Sequence, residues 1–297
     1  MTASVPRRSR RAAVVANPTS GRGRAARAAE AVAQGLARRG FEAEVHLTRG
    51  RGDAPAWLRA QGDDLALVVA AGGDGTVREC FEGLANPEIP VGMLPLGTAN
   101  VLALELGAPR DVERAVEVFA AGRARPIDVA RVNGRLSFLV TSAGIDAETV
   151  REVELRRRGP ITKWSYVPAF LAALRRTGRV RMAVEVDGAR LPGTFGMVLV
   201  SNVRFYGGVL RLDPAARIDD GLFEVYLFPT ARIPELCAAF VRGVLHHLPG
   251  GAVERVRARS VRLEADGPVP YQVDGDTGAM LPLHLEVQPV RYRVLAP

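Results

Sequence analysis

The most constraining feature of this 297-residue sequence is an apolar run that ends in glycines around a single aspartate. Residues 65–71 are apolar and lead directly into Gly72, Gly73, Asp74, Gly75 and Thr76. A short, continuously apolar strand is typical of an α/β sheet that is covered on both faces. Glycines let the backbone come close to a ligand, and a helix predicted from Val77 would direct its N–H groups at an anion. The segment predicts a phosphate-binding loop, although an ordinary strand-to-helix turn has the same composition.

Two further apolar runs, at residues 12–16 and 89–94, end in polar turns of the same kind. Their turns combine glycine with short polar side chains, at Asn17, Ser20, Gly21, Gly97, Thr98 and Asn100. Ligands bind at the carboxyl ends of strands in open α/β sheets. We therefore expect the three loops to form one polar rim.

The loops lack the usual lysine for a nucleotide. Neither G-x-x-x-x-G-K-[ST] nor G-x-G-x-x-G after a strand is present, and Lys163 is the single lysine of the chain. Phosphate charge would have to be met by backbone N–H groups, arginine and a divalent metal. Arg22, Arg24 and Arg27 follow the first loop, where cations suit a helix start only beside an anion. The alternative is a solvated basic helix face.

The order and spacing of these loops resemble the diacylglycerol kinase catalytic-domain family, which includes bacterial lipid kinases. Residues 219–222 and 273–276 are similar to that family's metal-site and catalytic-loop segments, so the likeness extends over nearly the whole chain. Polyphosphate/ATP-NAD kinases share a loop of the Gly-Gly-Asp-Gly-Thr type but resemble this chain less elsewhere. The resemblance implies an ATP- and Mg²⁺-dependent kinase acting on a lipid hydroxyl, most simply converting diacylglycerol to phosphatidic acid.

The resemblance also implies roles for individual residues. Asp276 would be the general base, while Asp74 and Asp128 would face each other through water and metal. Mg²⁺ would be held by the Asp220 carboxylate and by carbonyl groups, those of Arg217 and Leu222. The nucleotide would contact Asn17, Ser20, Gly21, Thr48, Gly72, Gly73, Asp74, Gly75, Thr76, Glu79, Gly97 and Thr98. The residues alone also allow loop support by Asp74, strand capping by Asp128 and a hairpin turn at Asp220.

The sequence departs from the family pattern at two positions. Asp276 stands where the family has glutamate, and its side chain is shorter by one methylene, about 1.5 Å of reach. A base must come within about 3 Å of the hydroxyl proton, so either the loop shifts or Asp274 shares the work. Arg78 stands where the family often has asparagine, which leaves the polar network at that helix start open.

The pattern of elements predicts two domains. Residues 1–125 alternate strands and helices, which is typical of a doubly wound parallel sheet, with a basic tail at 1–11 and helices at 22–39, 53–61, 77–85, 101–106 and 111–121. Residues 126–287 predict a mostly antiparallel β-sandwich, as in NAD kinases and diacylglycerol kinases, and residues 288–297 return to the first domain. Strands are predicted at 127–132, 136–142, 181–186, 195–201, 222–228, 260–264 and 283–287.

Two dipeptides, Asn133-Gly134 and Asp187-Gly188, predict tight hairpins within the second domain. Helical inserts are expected near 146–174 and 233–248. The first carries arginines around Trp164 and Tyr166, so it either rests on anionic lipid or packs against the sheet. The resemblance places the active site in a cleft between the domains.

The net charge and the composition of the chain limit the classes of partner that it is expected to bind. A net charge of +8 favours an acidic partner, whereas 6% aromatic residues and no stacking motif argue against nucleic acid. No signal peptide or membrane-spanning run is recognisable, which predicts a cytoplasmic enzyme that works peripherally at a membrane surface. Cys80 and Cys237 form no motif and are expected to be buried and reduced.

Two alternative functions remain beside the lipid kinase. One is a soluble-substrate kinase of the NAD kinase type, and the other is a catalytically silent nucleotide-binding protein at the membrane. The sequence leaves open which lipid is used and whether the chain forms a homodimer.

Overall fold

The computed structural model describes residues 10–156, 168–170, 172–173, 180–208, 210–230 and 232–297. The chain forms two compact units. The first comprises the chain up to Pro126 together with Arg291–Pro297, and the second comprises Ile127–Val290.

A six-stranded sheet forms the centre of the first unit. Its strands are β1 (Arg11–Ala16), β2 (Glu42–Leu47), β3 (Leu67–Gly72), β4 (Val91–Pro95), β5 (Ala124–Ile127) and β20 (Tyr292–Leu295). They lie in the order β2-β1-β3-β4-β20-β5, and the pairs β1–β2, β1–β3, β3–β4 and β4–β20 are parallel. Consecutive residues of β1 and β3 are buried, so both faces of the sheet are covered.

A 3₁₀ turn (Ser20–Gly23) and five helices connect these strands: α1 (Ala25–Ala37), α2 (Asp53–Gln61), α3 (Asp74–Gly83), α4 (Val101–Leu106) and α5 (Val112–Ala121). Helices α1 and α5 share a core with one face of the sheet. The bounds of α1, α3 and α5 differ from the sequence-based expectation by one to three residues. The 3₁₀ turn precedes α1, and α3 begins at Asp74 rather than at Val77, because Gly73 is extended and an acidic residue suits the first helical turn.

The second unit is built mostly of short strands. They are, in chain order, β6 (Ala130–Val132), β7 (Arg135–Ser137), β8 (Val140–Gly144), β9 (Met182–Val186), β10 (Ala189–Arg190), β11 (Met197–Ser201), β12 (Phe205–Tyr206), β13 (Leu210–Arg211), β14 (Phe223–Phe228), β15 (Glu254–Ala258), β16 (Ser260–Ala265), β17 (Pro270–Val273), β18 (Asp276–Met280) and β19 (Leu283–Val287). Helices α6 (Ile145–Leu155) and α7 (Ile233–Leu245) accompany them, and the described residues 168–170 and 172–173 are helical as well.

Apart from β12 and β13, which pair in a separate two-stranded sheet, these strands form a β-sandwich. Its sheets have the orders β10-β9-β16-β19-β6-β7 and β15-β14-β11-β8-β17-β18. Apolar residues of both sheets belong to one buried core, among them Val184 and Leu285 from the first sheet and Val198 and Val273 from the second. The named pairs within both sheets are antiparallel.

Several predicted elements need correction. The strand predicted at 136–142 is two strands, because β7 belongs to one sheet and β8 to the other. Asn133-Gly134 and Asp187-Gly188 are tight two-residue turns with positive φ at every position, as predicted. Cys80 is buried, but Cys237 is exposed, so the expectation for that cysteine was wrong.

Residues 157–167, 171 and 174 of the predicted first insert, with Trp164 and Tyr166 among them, lie outside the described residues. Among the helices that the structure does describe, none has the length and hydropathy required to cross a bilayer.

Candidate active site

Two of the three glycine loops touch each other at one edge of the first sheet. Because β3 and β4 are parallel neighbours, their carboxyl ends lie side by side. The Leu96 N–H donates to the Gly72 carbonyl at 2.8 Å. A Cβ on Gly97 would lie 2.6 Å from the Gly73 Cα, so the two backbones are in contact and only glycine fits there.

The first loop joins the same edge. A Cβ on Gly21 would lie 3.4 Å from the Leu96 Cβ, which places the loop after β1 against the loop after β4. The Asn17 side-chain carbonyl accepts from the N–H and hydroxyl of Thr19 at 3.0 and 2.8 Å and closes its own turn. The Thr48 N–H donates to the Ala16 carbonyl at 2.9 Å, at the end of β1.

Among the other predicted nucleotide contacts, Gly75 and Thr76 lie in the first turn of α3. Glu79 lies one turn further on, and its Oε1 accepts from the Gly52 N–H at 3.0 Å, immediately before α2. Thr98 lies in the loop between β4 and α4. The predicted loop residues of this unit therefore converge, while Glu79 supports the start of a neighbouring helix.

Asp74 connects two helices. It is the first residue of α3, and its carboxylate accepts from the N–H groups of Val101 and Leu102 at 2.9 and 3.1 Å, in the first turn of α4. Burial raises the pKa of Asp74, and these two hydrogen bonds partly offset that rise. Loop support, one of the two roles considered for Asp74, is what the structure shows. A role toward water and metal stays a prediction.

Asn100 organises the loop after β4, although the sequence placed it only in the polar rim and not among the nucleotide contacts. Its φ is 48°, a left-handed conformation that asparagine tolerates better than most residues. Its side-chain amide exchanges two hydrogen bonds with the backbone of Gly97, at 2.9 and 2.8 Å. The signal available in the sequence was an asparagine directly before a short helix.

In the second unit, Asp128 lies against the predicted metal loop. Its N–H donates to the Ile218 carbonyl at 2.7 Å, and its carboxylate accepts from the Gly221 N–H. Only 1% of the Asp128 surface is exposed. Asp128 and the loop at 217–222 were predicted separately, and the structure brings them together.

Asp220 is paired with an arginine from a strand further along the chain. One of its oxygens accepts from the Leu222 N–H at 3.2 Å, and the other pairs with Arg257. Arg257 lies directly opposite Glu224 across the β14–β15 pair, with its Nε 3.4 Å from that carboxylate. Burial raises the pKa of Glu224 to about 7, against the opposing effect of Arg257.

The residues of this loop fit a magnesium ion by their chemistry. Carboxylate and carbonyl oxygens are the hard ligands that Mg²⁺ takes, usually with retained waters. The Oε2 of Glu224 is buried and has no hydrogen-bond partner among the described residues, so a further carboxyl oxygen lies near Asp220. The described part of the chain holds no group of three or more His, Cys, Asp and Glu side chains arranged for a metal. An ion here would therefore depend on backbone carbonyls and water.

Asp274 and Gly275 form the turn of the β17–β18 hairpin, with φ of 50° and 84°. The Asp274 carboxylate accepts from three backbone N–H groups, those of Phe138, Leu139 and Val140, at 3.0 to 3.1 Å. The Ser137 hydroxyl donates a fourth hydrogen bond at 3.1 Å. With four donors on two oxygens, Asp274 ties the hairpin to the β7–β8 crossing and is poorly suited to share the work of a base.

Asp276 begins β18 and pairs with Arg135 at 2.5 Å. The Asp276 side chain is 32% exposed, so solvent or a substrate can reach it. Arg135 also donates to the Thr277 carbonyl at 3.2 Å, which fixes the guanidinium over the start of the strand. No sequence signal identified Arg135, because 141 residues separate it from Asp276.

A network of polar side chains supports the β17–β18 hairpin, which carries Asp276. Gln272 accepts from the Gly275 N–H at 2.8 Å and donates to the Ser142 hydroxyl at 3.1 Å. Ser142 in turn donates to Asp146 in the first turn of α6, which also accepts from the Tyr206 hydroxyl at 2.6 Å. Burial raises the pKa of Asp146, and the hydroxyl donors lower it in part. The position of Asp276 is thus set by a network reaching Tyr206.

Comparisons with known proteins agree with this architecture. Residues 11–132 match the family model described as the diacylglycerol kinase catalytic domain, and residues 139–296 match that of the YegS C-terminal NAD kinase beta sandwich-like domain. Together with the two units described above, these matches confirm the predicted fold class.

Individual proteins match over almost their whole lengths. A diacylglycerol kinase of Bacillus subtilis (strain 168) is 30% identical over 280 residues, which is 92% of each chain. A diacylglycerol kinase of Staphylococcus carnosus (strain TM300) is 29% identical over 92% of this chain and 90% of its own. A crystal structure of a diacylglycerol kinase from Bacillus anthracis str. Sterne covers 98% of each chain with a TM-score of 0.76 and 20% identity, a likeness in fold.

Proposed function

The chain belongs to the diacylglycerol kinase family, and from that premise we propose that it transfers the γ-phosphate of ATP to the free hydroxyl of diacylglycerol. The family makes it an ATP-dependent lipid kinase, and the proposal concerns the substrate and the residues. In the proposed reaction the acceptor oxygen forms a bond to the γ-phosphorus and the bond to ADP breaks. The hydroxyl proton passes to a carboxylate of the protein, giving phosphatidic acid and ADP.

One observation carries the nucleotide part of the proposal, namely the backbone contact between Gly73 and Gly97 at the strand ends. At this contact neither loop has a side chain, and helix α3 begins directly beside it. Backbone N–H groups and the positive end of a helix bind phosphate without lysine, which this edge lacks. We infer that the triphosphate lies along this edge, against the loop residues predicted above.

The acceptor part of the proposal rests on Asp276. Its carboxylate is accessible, and it forms an ion pair with Arg135. Phosphoryl transfer asks the protein mainly for positioning and charge neutralisation, so a base that accepts one proton is sufficient. The supporting network through Gln272 offers a way to place the shorter aspartate where the family has glutamate.

We also propose Mg²⁺ as a cofactor, because the oxygen donors of Asp220, Arg217 and Leu222 suit it. When bound, such an ion supplies positive charge that neutralises acidic oxygens. Within this chain, Arg257 already offsets part of the charge of Asp220 and Glu224. Loss of the ion is therefore expected to weaken the loop rather than unfold the second unit.

Because diacylglycerol resides in bilayers, we propose that the enzyme works on a membrane surface rather than across it. The net charge of +8 favours anionic lipid headgroups.

The decisive experiment follows labelled γ-phosphate from ATP into a panel of acceptors in mixed micelles. The panel contains diacylglycerol, phosphatidylglycerol, a sphingoid base and NAD. We expect label in phosphatidic acid only, and label in another lipid or in NADP would overturn the substrate assignment. Turnover that appears only in Asp276→Glu, with ATP bound equally by both proteins, would identify the native chain as a silent nucleotide binder.

A further inference from the structure

Helix α7 carries an apolar stripe on its exposed side. Four of the large exposed hydrophobic residues of the described chain lie on this one helix, namely Phe240, Val241, Val244 and Leu245. Cys237 is exposed as well. The spacing of three and four residues places these five side chains on one face of the helix.

The opposite side of α7 explains how the helix is attached. Leu236 and Ala239 are buried, and a Cβ on Gly243 would lie 3.2 Å from a methyl carbon of Leu210 in β13. The helix therefore already buries one apolar face against the second unit. Its other apolar face needs a separate explanation, since contiguous exposed apolar residues mark interaction surfaces.

Basic residues outnumber acidic ones around the stripe. Arg232 precedes the helix, Arg242 lies within it, and both are exposed, as are His246 and His247 behind it. Glu235 is the single acidic residue between 232 and 247, and it is partly buried. An apolar stripe between basic residues matches helices that lie in the plane of an anionic membrane.

We propose that this face of α7 inserts into the surface of a membrane that contains anionic lipid and holds the enzyme there. The inference rests on the proposed function and deepens it by naming the docking surface. A helix of 13 residues is too short to cross a bilayer, which takes about 20, but it can lie along one. Four large side chains fall well short of the roughly 20 to 30 residues that each side of a stable protein interface uses, so a second copy is the weaker occupant.

The surface is connected to the predicted base within the same unit. Helix α7 packs on β13, which pairs with β12, and Tyr206 of β12 donates to Asp146 at the start of α6. Helix α6 packs against the β17–β18 hairpin that carries Asp276. Docking through α7 would thus hold the acceptor side of the unit close to its lipid.

The chain offers a built-in reporter for the test. Cys237 is the exposed member of the only two cysteines, and burial raises the pKa of the other, Cys80, which makes that thiol unreactive. A polarity-sensitive dye on Cys237 should shift to the blue when vesicles of phosphatidylcholine and phosphatidylglycerol in equal parts are added. Vesicles of phosphatidylcholine alone should give a smaller shift.

Flotation of the unlabelled protein with the same vesicles measures the partition directly. We expect Phe240→Ser/Leu245→Ser to lower it by about tenfold or more, because two inserted apolar side chains are lost. Val241→Ser and Val290→Ser form a matched pair, since the two valines are 53% and 48% exposed and Val290 lies outside α7. Only Val241→Ser should weaken binding, and both variants should keep the thermal unfolding midpoint of the parent.

Turnover separates this inference from the function on which it rests. The double variant should lose activity on diacylglycerol in vesicles but keep it on a short-chain diacylglycerol dissolved as monomers.

Equal partition and equal vesicle activity of parent and double variant would overturn the docking surface and leave the kinase standing. Vesicle binding through α7 without phosphorylation of any lipid would overturn the kinase assignment and leave the docking surface standing. A blue shift that grows with protein concentration in the absence of vesicles would mean that a second copy covers the stripe, and the proposal would be wrong.

Discussion

The two units hold their predicted site residues in different ways. In the first unit, Asp74 is fixed by backbone N–H groups of α4, and Gly73 contacts Gly97 directly. In the second unit, Asp220 and Asp276 each pair with an arginine, at 37 and 141 residues' distance in sequence. Neighbouring parallel strands bring their loops to one edge by topology alone. On the β-sandwich, Asp220 and Asp276 depend on arginines brought in by tertiary pairing, although Asp274 is held by backbone N–H groups as Asp74 is.

This difference sets what each unit can tolerate. The first unit depends on the absence of side chains at a backbone contact, so a single added methyl group disturbs it. The second depends on compensated charge, so changes in protonation or in a charged partner disturb it. Substitutions at these positions can therefore test each side of the comparison separately.

The largest effect is expected from Asp276→Asn. An amide cannot accept the hydroxyl proton, and loss of a general base typically lowers kcat by about 10²- to 10⁴-fold. ATP affinity should remain unchanged, because the predicted nucleotide residues lie in the other unit. Initial rates in diacylglycerol micelles and an ATP titration of the same sample would measure both quantities.

Arg135→Gln serves as the comparison for that variant, because it removes the ion pair with Arg135 and keeps the Asp276 carboxylate. Its rate should fall less than that of Asp276→Asn. A rate for Asp276→Asn within a factor of about three of the parent would place the base elsewhere.

A smaller effect is expected from Gly97→Ala. The new Cβ would lie 2.6 Å from the Gly73 Cα and 2.7 Å from the Asn100 Oδ1, so the two loops must separate. Overpacking of this kind costs about 1–3 kcal/mol of the free energy of unfolding, and ATP binding should weaken with it. Denaturant unfolding and an ATP titration would measure the two losses.

Gly50→Ala is the matched control in the same unit, since nothing lies within 4 Å of a Cβ at that position and its φ is not in the left-handed region. It should behave as the parent does. Equal stability of Gly97→Ala and Gly50→Ala would mean that the backbone contact between the loops is not rigid.

The comparison also explains how far the sequence could predict this protein. Helices α2 and α4 were predicted with their observed bounds, and strands β1, β3 and β4 to within two residues at each end, because continuous apolar runs and glycine turns carry those signals locally. The ATP-dependent kinase assignment is confirmed by the family. Strand β2 was missed, since as an edge strand with mixed exposure it lacks a continuous apolar run.

In the sandwich, local signals were less informative. The turns at Asn133-Gly134 and Asp187-Gly188 could be predicted, because asparagine or aspartate before glycine favours positive φ. The ion pairs of Arg135 and Arg257 could not be predicted, since the residues around an arginine do not specify which distant carboxylate it will pair with. The burial of Glu224 was hidden for the same reason, as it depends on both strands that flank β14.

The smallest effect, and the one that tests the charged side of the comparison, is the pH dependence of Glu224. Burial raises the pKa of this carboxyl from 4.5 to about 7 in the folded protein. Between these two values the folded state binds a proton that the unfolded state has released, so this residue makes stability fall as pH rises from about 4.5 to about 7. Above about pH 7 this contribution to the free energy of unfolding is lost completely, and below about pH 4.5 it is fully present.

Glu224→Gln removes the titration and keeps the shape of the side chain. The variant should match the parent in thermal unfolding midpoint near pH 4 and exceed it near pH 8, with the difference appearing across the window named above. Glu254→Gln is the control on the neighbouring strand, because Glu254 is exposed, and it should leave the pH profile unchanged. A parallel shift of Glu224→Gln at every pH would mean that Arg257, lying opposite on β15, already keeps this carboxyl ionised throughout, and charge compensation in the sandwich would then be stronger than its burial.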